Sequence, residues 1–508
     1  MPRLDKKKWS GLLDVTLDPE SSVPLSRQIF LQLRRAIVDH ALPAGSSVPS
    51  SRELSRRIGV SRTSVVAAYD ELYAEGYIEG RRGSGTFVSN DLPAKVEALR
   101  APPSPDSPSL RRMSVAGYRY RDLASRDVTT VDKPFSLGRC SIDHRTSEAW
   151  RRISLRNQKS IPDDALGYSD PFGRLSFRQV VSEYLKVFRA VNCSPEQAMI
   201  TSGAQQALDL SIKVLLNPGD RVWVEDPCYP ATLRALVAAD LRPVPVPVDG
   251  EGLCVSVGMD REPSPRAIFV TPSHQYPTGA IMSMSRRLEL LAAASRTDAW
   301  IVEDDYDSEF RYTGQPLSSL QGLDQNSRVI YVGTLSKVLF PAVRTGFAVI
   351  PLDLIAAYRG ARYLTDRGPP IFYQQTIEEF MREGFFTSHV RRMRHRYQAA
   401  RDLIVEDLRK NLAPYATVDL PAGGMHVIAY LRAGIDDLAV TAEALMRDVV
   451  VRPLSPLFIE REPRHGLDIG FTGFDCAQMR LAAVRLGEAL KHVAAQVPGA
   501  LGRTNAAS

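Results

Sequence analysis

The chain has 508 residues, 44% of them hydrophobic and 24% charged, with a formal net charge of +6. Its length suggests about three compact units at roughly 150 residues each, and its composition is that of a globular protein rather than a fibrous or disordered one. No run of ~20 apolar residues argues for a membrane span, no apolar stretch follows the charged N-terminus as a secretory leader would require, and the scattered Cys140, Cys193, Cys228, Cys254 and Cys476 form no CxxC pair, which argues against a metal site or disulfide scaffold and for a reducing interior.

The first periodic segment, "PLSRQIFLQLRRAIVDHAL", sets Ile29, Leu33, Ile37 and Val38 at helical spacing. "PAGSSVPS" breaks it. "SSRELSRRIG" predicts a second helix ended by Gly59, and "VSRTSVVAAYDELYAEG" a third with Ser61 as N-cap and Gly76 as its stop. "YIEGRRGSGTFVSN" alternates about a glycine-rich tip, as a hairpin does. Three helices, a short turn between the second and third, and a hairpin make a winged helix-turn-helix over residues 21–90. In that motif the last helix of the pair enters the major groove by its N-terminal residues. Here they are Ser61, Arg62 and Thr63; Arg62 suits guanine or phosphate, and Ser61, Thr63 and the helix N-terminus suit phosphate. Arg52 opens the preceding helix, and Arg81, Arg82, Gly83 and Gly85 form the wing tip. Four arginines against one acid between Arg52 and Arg62 give the local charge that the whole chain lacks.

Residues 91–133 are rich in Pro and Ser and read as a linker. From 134 to about 500, helical and strand segments alternate. "RVWVED", "RAIFVTPS", "AWIVEDDY" and "RVIYVGTLSK" are short apolar runs with polar ends, the pattern of buried parallel strands. The carboxyl ends of such strands form a ligand crevice. "DALGYSDPFGRLSFRQVVSEYLKVF" and "SGAQQALDLSIKVLLNPG" read as helical. After about 355 a smaller domain follows, with "MHVIAYL" and "LDIGF" as strands. "HVRRMRHRYQAAR" packs five arginines into 391–401, read as a solvated helix face, with a further DNA contact as the alternative.

The crevice residues form a set. Lys337 supplies an amine, Asp304 a carboxylate two residues from Tyr306, and Tyr229 an aromatic plate; Gly203 and Ala204 sit at a helix N-terminus suited to an anion, and Arg344 lies seven residues beyond Lys337. Pyridoxal phosphate needs an amine for a Schiff base, a carboxylate at its ring nitrogen, a donor at its phenolic oxygen and a cradle for its phosphate.

The head is similar to GntR-type winged-helix domains through "PSSRELS", "GVSRTSV" and "GSGTFV". The body resembles fold type I aminotransferases through "SGAQQAL", "EDPCYP", "PTG", "DDYDSEF" and "LSK" in that order. The fusion resembles the MocR/GabR family of regulators. The resemblance implies a multidomain protein: an α+β winged helix-turn-helix head, then an α/β transferase fold type I with large and small domains. It implies that Lys337 forms the Schiff base with pyridoxal 5′-phosphate, Asp304 pairs the ring nitrogen, and Tyr306 meets the phenolic oxygen. Gly203, Ala204, Thr334, Ser336 and Arg344 hold the phosphate, and Tyr168 reaches the cofactor of a partner subunit. It further implies a cytoplasmic, nucleoid-associated homodimer, arranged head to tail on double-stranded operator DNA, that senses an amine, an amino acid or the cofactor itself without physiological turnover. The alternative is an active aminotransferase with an appended DNA-binding domain. Two departures stand out. The family's Asn before "PTG" is Tyr276 here, with Gln275 or His274 as substitutes. The family's carboxylate-binding arginine is absent from "DIGF" (468–471), leaving Arg452 as the nearest alternative for an effector carboxylate.

Overall fold

The computed structural model describes residues 15–81, 85–90, 112–124, 132–159, 167–314 and 318–496. The wing-tip residues Arg82 and Gly83 and most of the 91–133 linker lie outside them. Contacts divide the chain into two compact units, Met1–Arg112 and Met113–Ser508.

In the first unit, α1 (Leu25–Val38), α2 (Ser51–Ile58) and α3 (Arg62–Ala74) pack around Ile29, Phe30, Leu33, Leu54, Val65 and Leu72, all buried. The side chain of Ser50 caps α2 by accepting from Glu53 N, and that of Ser61 caps α3 by accepting from Ser64 N. Gly59 ends α2 at φ +71°, a left-handed conformation that a β-carbon disfavours. Strands β1 (Ser47–Val48), β2 (Ile78–Arg81) and β3 (Gly85–Val88) form an antiparallel sheet in the order β1-β3-β2. The hairpin β2–β3 is the wing; β1 is a third strand that the sequence pattern did not reveal, because two residues are too short for periodicity.

The second unit carries β4 (Ala198–Thr201), β5 (Arg221–Asp226), β6 (Arg242–Asp249), β7 (Gly252–Leu253), β8 (Ala267–Val270), β9 (Trp300–Asp305), β10 (Val329–Thr334) and β11 (Gly346–Val349) in one eight-stranded sheet, ordered β4-β11-β10-β9-β8-β5-β6-β7. The five strands from β10 to β6 are mutually parallel, and β11 runs antiparallel to both β10 and β4. Their side chains are buried almost throughout, which explains the continuous apolar runs. A second sheet holds β12 (Ala416–Val418), β13 (His426–Leu431), β14 (Arg452–Pro453) and β15 (Gly466–Gly470) in the order β12-β13-β15-β14. Among the described residues no helix is long and apolar enough to cross a membrane.

Two expectations need correction. The helix expected to include "LGYSDPFG" begins only at Leu175, because Gly173 at φ +92° turns the chain just before it. The arginine-rich stretch lies in the helix Phe385–Leu412 but is not a solvated stripe. Arg392 donates to Asp143 and Thr146, Arg394 to the Glu309 carbonyl, and the buried Arg401 to the Pro421 carbonyl. Three of the five arginines are thus fastened to the body, while Arg391 and Arg396 are exposed.

Candidate functional site

A cavity of about 300 Å³ opens at the carboxyl ends of the parallel strands. Strand β9 delivers Asp304 into it and turns Asp305 the other way, because successive side chains alternate across a sheet. Asp305 Oδ2 accepts from Arg189 Nε at 2.6 Å and from the Tyr331 hydroxyl at 2.6 Å, so it serves the core. Asp304 is buried and its Oδ1 has no hydrogen-bond partner among the described residues. Burial, reinforced by the negative charges of Asp305, Glu225 and Asp307, pushes its carboxyl up to about 7.

Strand β10 ends at Thr334, and the turn after it brings Ser336 and Lys337 into the cavity. Thr334 Oγ1 accepts from Ser336 N at 3.1 Å, which fixes the turn, while the buried Ser336 Oγ is without a partner among the described residues. Burial lowers the Lys337 amine below its ordinary value, and the positive charge of Arg452 adds to that; the acids nearby offset it in part. A neutral amine is the nucleophilic form. Gly138, at φ +80°, faces Lys337: a β-carbon there would strike the lysine Nζ.

The helix Ala204–Leu215 starts at Gly203, which takes φ +110°. A β-carbon on Gly346 would lie 2.8 Å from both the Gly203 carbonyl carbon and the Gly333 oxygen, so the glycine lets β11 press against the helix start. Arg344, at the end of the turn before β11, brings its guanidinium within 3.7 Å of where a Gly203 β-carbon would stand. A helix N-terminus, an arginine fork and the spare Ser336 hydroxyl together form an anion cradle.

Tyr229, the N-cap residue of the helix Pro230–Ala238, lines the cavity and meets Tyr276 edge to face at 5.4 Å. The Tyr276 hydroxyl donates to Asp468 Oδ2 at 2.7 Å and accepts from Arg452 Nη1 at 2.8 Å. Gln275 and His274 do not take over the missing asparagine's place in the cavity. Gln275 is buried behind it and donates to the carbonyls of Pro227 and Tyr276; His274 meets the Tyr306 hydroxyl from the rear.

The structure therefore gathers Lys337, Asp304, Tyr306, Tyr229, Gly203, Ala204, Thr334, Ser336, Arg344 and Arg452 around one cavity. Tyr168 is not among them: it is 86% exposed and lies under the Arg367 guanidinium. Thr271, Asp307, His426 and Gly138 also line the cavity and were not singled out from the sequence. Asp307 sat within a quoted motif, but the role of Gly138 depends on a contact across 199 positions, beyond any local pattern.

The residues fit pyridoxal phosphate on the structure's own terms. Asp304 offers a buried carboxyl oxygen and Ser336 a buried hydroxyl, neither with a partner among the described residues, to a cationic ring nitrogen and to an anion, and the half-buried Lys337 lines the same cavity.

In the first unit, Arg52 is exposed at the start of α2, and Arg62 and Thr63 at the start of α3. Arg62 Nε lies 3.4 Å from Ser51 Oγ, and Ser61 Oγ is engaged in capping. Arg81 pairs with Glu79 at 2.9 Å and stacks on Phe87, while no atom of the other described residues stands within 4 Å of a Gly85 β-carbon.

Residues 134–465 match the aminotransferase class I and II family, and residues 25–88 the gntR family of bacterial regulatory proteins. The chain is 38% identical over 92% of its length to a probable rhizopine catabolism regulatory protein, MocR, from Rhizobium meliloti, covering 94% of that protein. It is 30% identical over 94% of its length to the pyridoxine biosynthesis transcriptional regulator PdxR of Corynebacterium glutamicum, covering 98% of it. Among solved structures, the alpha-aminoadipate aminotransferase LysN of Thermus thermophilus, complexed with N-(5′-phosphopyridoxyl)-L-leucine, is similar over 76% of this chain and 98% of its own, with 28% identity and a TM-score of 0.69.

Proposed function

The chain belongs to the family of bacterial regulators that join a GntR-type winged helix to an aminotransferase class I and II domain, and from that premise we propose how its two units work together. It is a DNA-binding transcription regulator whose cofactor is pyridoxal phosphate. Residues 21–90 contact the operator through Arg52, Arg62 and Thr63, with Ser61 ordering the helix start and Arg81, Arg82, Gly83 and Gly85 at the wing. Residues 134–500 hold the cofactor and read an effector, which is an amine, an amino acid or the cofactor itself. The observation that carries this reading is the single cavity in which Lys337, Asp304 with its unpartnered oxygen, and the Gly203–Arg344 cradle meet.

When bound, pyridoxal phosphate supplies an electrophilic carbon that a primary amine can occupy and release. Lys337 offers the resident amine, which burial makes easier to deprotonate. Asp304 holds the ring nitrogen's proton. Thr334, Ser336, Arg344 and the Gly203–Ala204 backbone hold the phosphate, and Tyr229 covers a ring face. Arg452 presents a guanidinium to an effector carboxylate. A body with two conformations of different effector affinity would then shift DNA affinity about 5- to 150-fold through a coupling of ~1–3 kcal/mol. The exposure of Tyr168 supports a homodimer, arranged head to tail, in which that side chain meets a partner. Regulation is favoured over turnover because the MocR and PdxR relatives, similar over both units, are named as regulators.

The test is to add pyridoxal phosphate to the purified chain and to Lys337→Ala, then measure affinity for DNA selected by the full chain, with and without candidate amines. A visible absorbance band that the variant lacks, and DNA affinity that tracks occupancy, are expected. A chain that never acquires the band, or that steadily exchanges amino acids with 2-oxo acids, refutes the reading.

A further inference from the structure

We propose that His274, held by Asp307, is a positioning residue that orients the Tyr306 hydroxyl so that its proton faces the cofactor cavity. The inference rests on the reading of Tyr306 as a donor to the cofactor's phenolic oxygen. His274 Nδ1 lies 3.1 Å from the Tyr306 hydroxyl and 3.2 Å from Asp307 Oδ2; Tyr306 and Asp307 line the cavity, and His274, which does not, meets both from behind. Imidazole is more basic than a carboxyl group, so a shared proton stays on the ring and Asp307 accepts only. Nδ1 is then a donor whether the ring is neutral or charged. A donor cannot accept from Tyr306, so the one Nδ1–H is shared between Asp307 Oδ2 and the tyrosine oxygen, and the tyrosine's own proton is left for the cavity side. Tyr276 cannot serve instead, because its proton goes to Asp468.

The ring is enclosed. A β-carbon on Gly424 would strike it, and one on Gly279 would come within 3.2 Å of Nε2. His426 lies 5.2 Å away, centroid to centroid, and Arg189, Arg287 and Arg311 share the small cleft on the far side. Burial opposes a charge on His274, but the charge and hydrogen bond of Asp307, with Asp468 beyond, more than offset it and raise the ring above its ordinary value. Both forms keep the proton on Nδ1.

The experiment titrates the visible absorbance of the cofactor-loaded chain against pH. Tyr306→Phe removes a donor from the phenolic oxygen and should move the midpoint upward, because the anionic oxygen is less stabilised. His274→Ala should move it the same way by roughly half to one pH unit, and should add nothing in the Tyr306→Phe background. His274→Gln, which keeps an N–H donor, should restore much of the wild-type midpoint. An equal His274→Ala shift with and without Tyr306, or no shift at all, overturns the proposal. Should His274→Ala fail to fold, ¹⁵N-histidine spectra of the wild-type, cofactor-free chain decide the matter: Nδ1 unprotonated at pH 8 overturns it. His274, Asp307 and His426 also offer ligand atoms within 4.8 Å of one another. One tightly held equivalent of zinc would therefore displace that proton and overturn it too. A wild-type chain that takes up no cofactor would instead refute the functional reading, leaving the ¹⁵N test of His274 intact.

Discussion

Asp304→Asn is expected to stabilise the cofactor-free chain at pH 8 and to leave its stability unchanged at pH 5. Burial and three neighbouring acids raise the Asp304 carboxyl from 3.8 to about 7. A carboxyl raised on folding has its stabilising effect intact below 3.8 and loses it as the pH climbs toward 7, because the unfolded chain releases the proton first. At ~1.4 kcal/mol per pH unit the gap is on the order of 4 kcal/mol above pH 7 and roughly 1.6 kcal/mol at pH 5. The replacement amide leaves a buried donor where Oδ1 now has no partner, about 1–3 kcal/mol. The variant should therefore gain about 2 kcal/mol at pH 8 and nothing at pH 5. Urea unfolding followed by tryptophan fluorescence reports it, since Trp150, Trp223 and Trp300 lie in the body and only Trp9 outside it. Added pyridoxal phosphate should stabilise the wild-type chain more than the variant, because only the carboxylate can pair a cationic ring. Equal unfolding midpoints at pH 8, or a difference that does not change between pH 5 and 8, would refute the assignment of Asp304 as the strained acid of the site.

Arg62→Ala should weaken DNA binding by ~1–3 kcal/mol, roughly 5- to 150-fold, while the cofactor's absorbance is unchanged; electrophoretic mobility shift at two salt concentrations measures it. Gly138→Ala sets a β-carbon against Lys337 Nζ at φ +80°, so cofactor uptake should fall sharply while thermal unfolding shifts by only ~1–2 kcal/mol; absorbance titration and circular dichroism separate the two.

The sequence showed what repeats locally. Period and caps placed α2 and α3, and Ser61 and Gly59 cap them because a hydroxyl and a missing β-carbon solve local problems. The polar residues at the ends of β9 and β10 marked the crevice because parallel strands are apolar except where they leave the sheet. What stayed hidden depends on contacts between distant segments. Gly138 is ordinary in sequence, yet at φ +80° a β-carbon there would displace the Lys337 amine. The arginines near 391–401 look like a surface stripe until Asp143, Glu309 and Pro421 arrive from elsewhere in the chain.

The two departures from the aminotransferase pattern, Tyr276 and Asp468, read as separate losses along the chain and as one unit in space. Tyr276 donates to Asp468 across 192 positions and accepts from Arg452 across 176. Arg452 and Asp468 are register partners on β14 and β15. An acid on β15 would be an uncompensated buried charge if alone, and a guanidinium on β14 would be unanchored. The tyrosine ties each to the other and leaves the arginine facing the cavity. Replacing any one of the three takes a bonding or register partner from the other two, so what reads as two separate departures along the chain is one connected unit in space.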